Sequence, residues 1–389
     1  MSPRVGALRS RLASATYNLL RMNRVQTPSR ILVVQPSWVG DAVMATPTLR
    51  AIRSLYPQAH ISYLLRRYVK PIYAGMPYAD RLLTYRAPRA GRKAGRGTLI
   101  RLARRLRRGR FDTAILLPNS FRAAAVCKLA RIPRIVGYDR DGRGLLLTDR
   151  LVPFRENGTF VPTPIVRTYL GIAHYLGSES HDRRLELFVT PSERANAEAL
   201  LERVGLPSGI ERPGRVGGAP LVILNPGANY GEAKCWPARS FAELSDRLTS
   251  ELGATVIVSS APKEAKIVAE ILDQTRHRPI DLAAAGLSLG ALKEIVRRCD
   301  LMVSNDTGPR HIAAAMETPV VTIFGPTHPE WTEIDFPLER KVSVKVFCGP
   351  CQKRVCPLDH RCMTRISPAM VFEACVGLLR QAASGAVAP

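Results

Sequence analysis

Leu301-Met302-Val303-Ser304-Asn305-Asp306-Thr307-Gly308-Pro309-Arg310-His311 runs on through Ile312-Ala313-Ala314-Ala315-Met316 and, past Thr318-Pro319, into Val320-Val321-Thr322-Ile323-Phe324. The first four residues form a short apolar run that predicts a buried strand. Asn305 to Gly308 are turn and helix-cap residues, and Pro309 suits the first turn of a helix, where a missing N–H costs nothing. Thr318-Pro319 ends that helix, and Val320 to Phe324 predicts a second buried strand. Strand, polar turn, helix and strand make a βαβ unit. Its turn lies at the carboxyl end of the first strand, where open α/β sheets bind ligands. A helix start also offers unpaired N–H groups and the positive end of its dipole, so this turn suits a phosphate.

The same pattern recurs outward from this unit. Ile31 to Val34, His60 to Leu65, Arg81 to Tyr85, Thr113 to Leu117 and Arg134 to Tyr138 predict strands separated by helical patterns. After a helix over Pro191 to Val204 and a Gly/Pro-rich connector from Gly205 to Pro220, strands follow at Leu221 to Leu224, Thr255 to Val258 and Ile280 to Leu282. Helices are expected over 240–252, 263–275 and 288–299, and a last amphipathic helix from Pro368 to Gln381. The fold class is therefore α/β, with two parallel-sheet units in tandem. The expected divisions are a basic leader (1–29), a first domain (30–188), a second domain (189–366) and a terminal helix and tail (367–389). A helix opening at Asp41 buries Ala45, Leu49, Ile52 and Tyr56, with Pro47 either kinking it slightly or sitting early enough to be tolerated.

A length of 389 residues accommodates two domains, each large enough for its own core, and 46% hydrophobic with 23% charged residues is an ordinary globular balance. No stretch reaches the roughly 18 apolar residues of a spanning helix, and no apolar core follows the basic amino terminus, so no signal peptide is expected. Eight cysteines in a chain of this length and kind read as reduced thiols in the cytoplasm. The net charge of +25 calls for an anionic partner (nucleic acid, membrane surface or phosphorylated substrate) or for a proteome-wide compositional bias toward arginine. Residues 1–29 and the Arg/Lys-rich run Arg86 to Arg110 contain no acid, and Leu99, Leu102 and Leu106 give part of that run a helical stripe. No helix-turn-helix, RNP or finger spacing is present, which argues against nucleic acid.

Two further loops at strand ends pair a polar residue with glycine. Ser37-Trp38-Val39-Gly40-Asp41 is one; Asn225-Pro226-Gly227-Ala228 leading to Lys234-Cys235-Trp236-Pro237 is the other. Asp41 at a helix start is either an N-cap or an acid held ionised by the dipole, which would restrain its strength as a base. Lys234 is either a solvated surface lysine or a phosphate ligand. Cys348, Cys351, Cys356 and Cys362, with His360, have zinc-like spacing without the regular two-plus-two pairing. The readings there are a structural zinc or, preferred, a metal-free thiol-rich loop.

Taken together, Arg30 to Asp41, Asn225 to Pro237 and Ser304 to Thr327 resemble, in order and as three blocks, the pattern of glycosyltransferase family 9, the heptosyltransferases. The resemblance implies a GT-B architecture, two Rossmann-like domains with parallel sheets facing across a cleft, acceptor in the first and donor in the second. It implies inverting transfer of heptose from ADP-heptose to a phosphorylated lipopolysaccharide inner-core glycolipid, with no cofactor or metal. The enzyme would be cytoplasmic and peripheral on the anionic inner face of the inner membrane, its basic surface serving that partner. The alternatives are the same fold with another nucleotide sugar or acceptor, or a basic nucleic-acid-binding α/β protein. By the same resemblance Asp41 is the general base and Lys234, with the Thr307-Gly308 helix start, stabilises the departing diphosphate. Asn225, Gly227, Glu264, Asp306 and His311 complete the donor site. Glu264 would bind the ribose, Asp306 would orient the donor, and His311 would donate to a phosphate or simply pack.

Overall fold

The computed structural model describes residues 27–85, 96–153, 155–156, 158–207, 209–210 and 218–384. The leader up to residue 26, the first part of the basic run (86–95), half of the connector (208 and 211–217) and the tail 385–389 lie outside the described residues.

The first sheet is built from β1 (Arg30–Val34), β2 (His60–Arg66), β3 (Arg81–Tyr85), β4 (Thr113–Leu116), β5 (Arg134–Tyr138) and β6 (Asp149–Leu151). Its strand order is β3-β2-β1-β4-β5-β6, and every pair is parallel. A two-stranded antiparallel ribbon, β7 (Arg155–Glu156) with β8 (Thr159–Phe160), follows. The second sheet repeats the design with β9 (Leu221–Asn225), β10 (Thr255–Val258), β11 (Ile280–Asp281), β12 (Leu301–Asn305), β13 (Val320–Ile323) and β14 (Glu339–Val342). Its order, β11-β10-β9-β12-β13-β14, is again wholly parallel. In both sheets the order reverses beside the first strand. The reversal opens a crevice at the carboxyl ends of β1 and β4, and of β9 and β12.

Ile31 to Val34 are almost wholly enclosed because helices cover both faces of a parallel sheet. Each such side chain contributes about 1.5–3 kcal/mol by burial. The helix expected after β1 is two helices, Val39–Met44 and Thr46–Leu55, meeting at Ala45. Pro47 occupies the first turn of the second, so it marks a restart rather than a kink. The helix Pro191–Arg203 starts on a reciprocal capping box between Thr190 and Glu193. The terminal helix Pro368–Ala383 packs against β12, β13, β14 and the helix Ala238–Leu252 of the second sheet.

Each sheet has an apolar cluster of its own, around Leu32 and Leu116 in the first and around Val222 and Trp236 in the second. A third cluster is shared and runs from Ile31, Val33 and Tyr73 through Leu170, Leu187 and Leu200 to Ile223, Ile295 and Ile312. At this seam the ammonium of Lys293, fully enclosed, donates to the carbonyls of Pro71 (2.6 Å) and Phe188 (2.7 Å) and to the Glu193 carboxylate (2.9 Å).

Candidate active site

The carboxyl edges of the two sheets face each other across a cavity of about 670 Å³. Asp41, Asn225, Gly227, Lys234, Glu264, Asp306, Thr307, Gly308 and His311 all line it, so residues up to 270 positions apart in the chain are brought to one place.

Two helix starts meet at its floor. A Cβ on Gly40 would lie 2.8 Å from Cδ2 of His311 and 3.6 Å from Cα of Gly308; one on Gly308 would lie 3.0 Å from Cβ of Val39. Glycine at both positions therefore lets the helices Val39–Met44 and Gly308–Ala315 approach closely. Asp41, half-buried in the first turn of the former, faces Lys234 of the other lobe. Burial pushes its carboxyl up to about 6, against the pull of the Lys234 ammonium. Burial thus outweighs the helix dipole that was expected to keep this acid weakly basic.

Lys234 is not a solvated lysine. Its buried ammonium donates to the Asp306 carboxylate and, at 3.0 Å, to the Asp306 carbonyl, and stands 5.0 Å from the Tyr230 ring centre. An ammonium has three N–H bonds, so one is left for the cavity. Asp306 also accepts from Thr327 (2.9 Å), Thr332 (3.2 Å) and Arg310 (3.3 Å). Burial alone would raise its pKa, but Lys234 and Arg310 hold the carboxyl down at about 2. Arg310 is completely enclosed and forked onto Glu339 of β14, with Nη2 to Oε2 at 3.0 Å. His311 is pushed down to about 3 by burial and then by Arg310, so its ring is neutral; its Nδ1 has no hydrogen-bond partner among the described residues.

Asn225, at the end of β9, accepts from Ser259 (3.2 Å) and reaches Thr307 (3.5 Å). Asn305 holds the β9 loop by donating to the Pro226 carbonyl at 2.7 Å. Glu264 accepts from the Ala261 N–H at 2.9 Å, and its carboxyl group lies where a side chain on Gly227 would be, 2.2 Å from the Cβ position. Gly227→Ala is therefore expected to displace Glu264 from the Ala261 N–H and to cost about 1 kcal/mol of stability, the usual net worth of one hydrogen bond, as read by urea unfolding.

Arg310 and Glu339 carry no signal of burial in the sequence. Arg354 was missed as well: it lines the cavity, its guanidinium lies 5.4 Å from the Tyr230 ring centre, and its carbonyl accepts from the Ala233 N–H at 3.1 Å. The cysteine loop delivers it. Cys348, Cys351, Cys356 and Cys362 line one pocket of about 220 Å³, and burial, then the other three thiols, pushes Cys362 up to about 11. Among the described residues no three His, Cys, Asp or Glu side chains converge as metal ligands. The loop is tied by Tyr230 donating to the Gln352 carbonyl (2.6 Å) and by His360 against the Ala233 carbonyl (2.8 Å).

Two parallel Rossmann-like sheets facing across a cleft, with helix starts and cations on its walls, make up a GT-B fold. The profile of glycosyltransferase family 9 (heptosyltransferase) matches residues 99–361, and the chain belongs to that family. It is 28% identical to lipopolysaccharide heptosyltransferase 2 of Salmonella typhimurium over 361 residues, 90% of this chain and 99% of that protein. Lipopolysaccharide heptosyltransferase 2 of Escherichia coli K12 is 29% identical over the same shares of each chain. Among solved structures, E. coli ADP-heptose lipopolysaccharide heptosyltransferase II superposes with a TM-score of 0.74 at 26% identity, covering 91% of this chain and 99% of that one. A family 9 glycosyltransferase of Veillonella parvula shares the fold, with a TM-score of 0.76 at 22% identity over 91% and 97%.

Proposed function

We propose that this chain transfers heptose from ADP-heptose to an inner-core sugar of lipopolysaccharide, inverting the anomeric centre without a metal. The observation that carries this reading is the half-buried Asp41 carboxyl, raised to about 6, standing across the cleft from Lys234 and the Thr307-Gly308 helix start. The names of the relatives, heptosyltransferases 2 of two enteric bacteria, support heptose and lipopolysaccharide as donor and acceptor classes.

The acceptor occupies the first lobe (30–188) and the donor the second (189–366). Asp41 takes the proton of the acceptor hydroxyl as its oxygen forms a bond to the anomeric carbon. The bond from that carbon to the diphosphate oxygen breaks on the opposite face, and ADP leaves. Charge gathering on the diphosphate meets the spare N–H of Lys234, the N–H groups at Thr307-Gly308 and Arg354. Asp306 acts through Lys234, which it positions, since both its oxygens are taken by the chain's own donors. Glu264 and Asn225 hold the nucleoside end, Glu264 by way of the ribose hydroxyls.

The test is incubation with ADP-heptose and a heptose-deficient core acceptor in the presence of a chelator. Release of ADP with a product heavier by one heptose is expected. Donor turnover only after a divalent metal is added would remove the metal-free mechanism, and no turnover at all would remove the donor assignment.

A further inference from the structure

Helix Phe121–Leu129 departs from the rule for a surface helix. Its inner face, Ala124, Val126 and Cys127, is buried against the first sheet, yet its outer stripe at Phe121, Ala125 and Leu129 is apolar too. Phe121 is 54% exposed and Leu129 52%. Only Arg122 and Lys128 are polar, and both are basic. A helix apolar nearly all round is normally covered on every side. The turn Gly144–Leu146 packs beside it and carries Leu145, 84% exposed.

The helix Arg96–Arg107 lies against the same helix and supplies charge. Arg101, Arg104, Arg105 and Arg108 are exposed, and neither helix contains an acid. Between residues 96 and 138 the chain has eleven Arg and Lys residues and one acid, Asp112. That acid is spent on the backbone N–H groups of Ser29 and Arg30. An apolar stripe flanked by unopposed arginines matches an anionic bilayer interface, where rings and alkyl groups enter the head-group region and guanidinium groups meet phosphates. Phe121 follows β4 at the carboxyl edge of the sheet, the edge from which Asp41 projects.

We propose that these two helices and the 144–146 turn form the surface by which the protein docks on an anionic phospholipid bilayer, bringing a lipid-borne acceptor to the rim of the cleft. The purpose rests on the transferase reading, but the binding is read without donor, so either can fail alone.

The experiment is co-sedimentation of the full chain with phosphatidylglycerol-containing vesicles and with phosphatidylcholine vesicles at two salt concentrations. Three proteins are compared: the parent, Phe121→Ser/Leu129→Ser and Arg104→Glu/Arg105→Glu. The parent is expected to bind the anionic vesicles, less at high salt, and the zwitterionic ones weakly. Each double variant should lose at least roughly tenfold in partition, with an unchanged melting midpoint and unchanged transfer to a deacylated, water-soluble acceptor. Variants that sediment like the parent overturn the proposal, as does a parent indifferent to lipid charge. Self-association of the parent through this face, without vesicle binding, overturns it too.

Discussion

Asp41→Asn is expected to lower kcat/KM by about 10³-fold while ADP affinity changes less than about threefold, because a positioned general base is worth roughly 10²–10⁴. The parent's rate should fall tenfold per pH unit below about 6, where the carboxyl protonates, and the residual rate of the variant should lack that limb. Stability separates this role from a structural one. A carboxyl whose folded pKa of about 6 exceeds its ordinary 3.8 binds a proton more readily folded than unfolded. The parent is therefore penalised above pH 6, and the penalty disappears as pH falls below about 4. Asn removes it, so the variant should melt slightly higher than the parent at pH 7, by a modest amount because the group is partly solvated. Asp41 is the third residue of its helix, which starts after Trp38 without a side-chain cap, so it is not the N-cap; a variant that melts lower and keeps most of its rate would still reduce it to a structural residue.

Arg310→Met should cost about 3–5 kcal/mol, the usual consequence of leaving buried charge without its partner. The guanidinium joins Glu339 on β14 to Asp306 at the end of β12, and all three side chains are enclosed. Met fills similar volume, so the loss is electrostatic rather than a cavity. Adding Glu339→Gln should therefore recover part of it, whereas a packing defect would only deepen. Urea unfolding of the two variants and the parent decides the matter. A loss under about 1 kcal/mol in the single variant would mean that water reaches the network. Donor binding should weaken as well, since Asp306 positions Lys234.

Most of the architecture could be read from residue patterns. Ile31 to Val34, Leu221 to Leu224 and Leu301 to Ser304 are short continuous apolar runs because both faces of a parallel strand are covered. Two of the edge strands, β6 and β14, were not legible. Asp149-Arg150-Leu151 is three residues long, and Glu339-Arg340-Lys341-Val342 is a charged edge whose outward side chains erase any apolar pattern. In the candidate site, the glycines and acids singled out at strand ends all line one cavity, since loops there have little reason to carry Gly-Asp or Asp-Thr-Gly other than caps and ligands. Charge pairing was not legible. Lys234 reads as solvated until Asp306 is beside it, and Arg310 finds Glu339 only through two parallel strands. Arg354 reaches the cleft through an irregular loop, for which no periodicity exists to be read.

The apolar cluster shared by both sheets, sealed by Lys293 against Pro71, Phe188 and Glu193, bears on how such a protein can be re-engineered. Grafting the front half of one relative onto the rear half of another would cut through that shared interior and strand an ammonium without its carbonyls. Chimeras intended to mix acceptor and donor preferences should exchange loops at the strand ends and leave the spine intact.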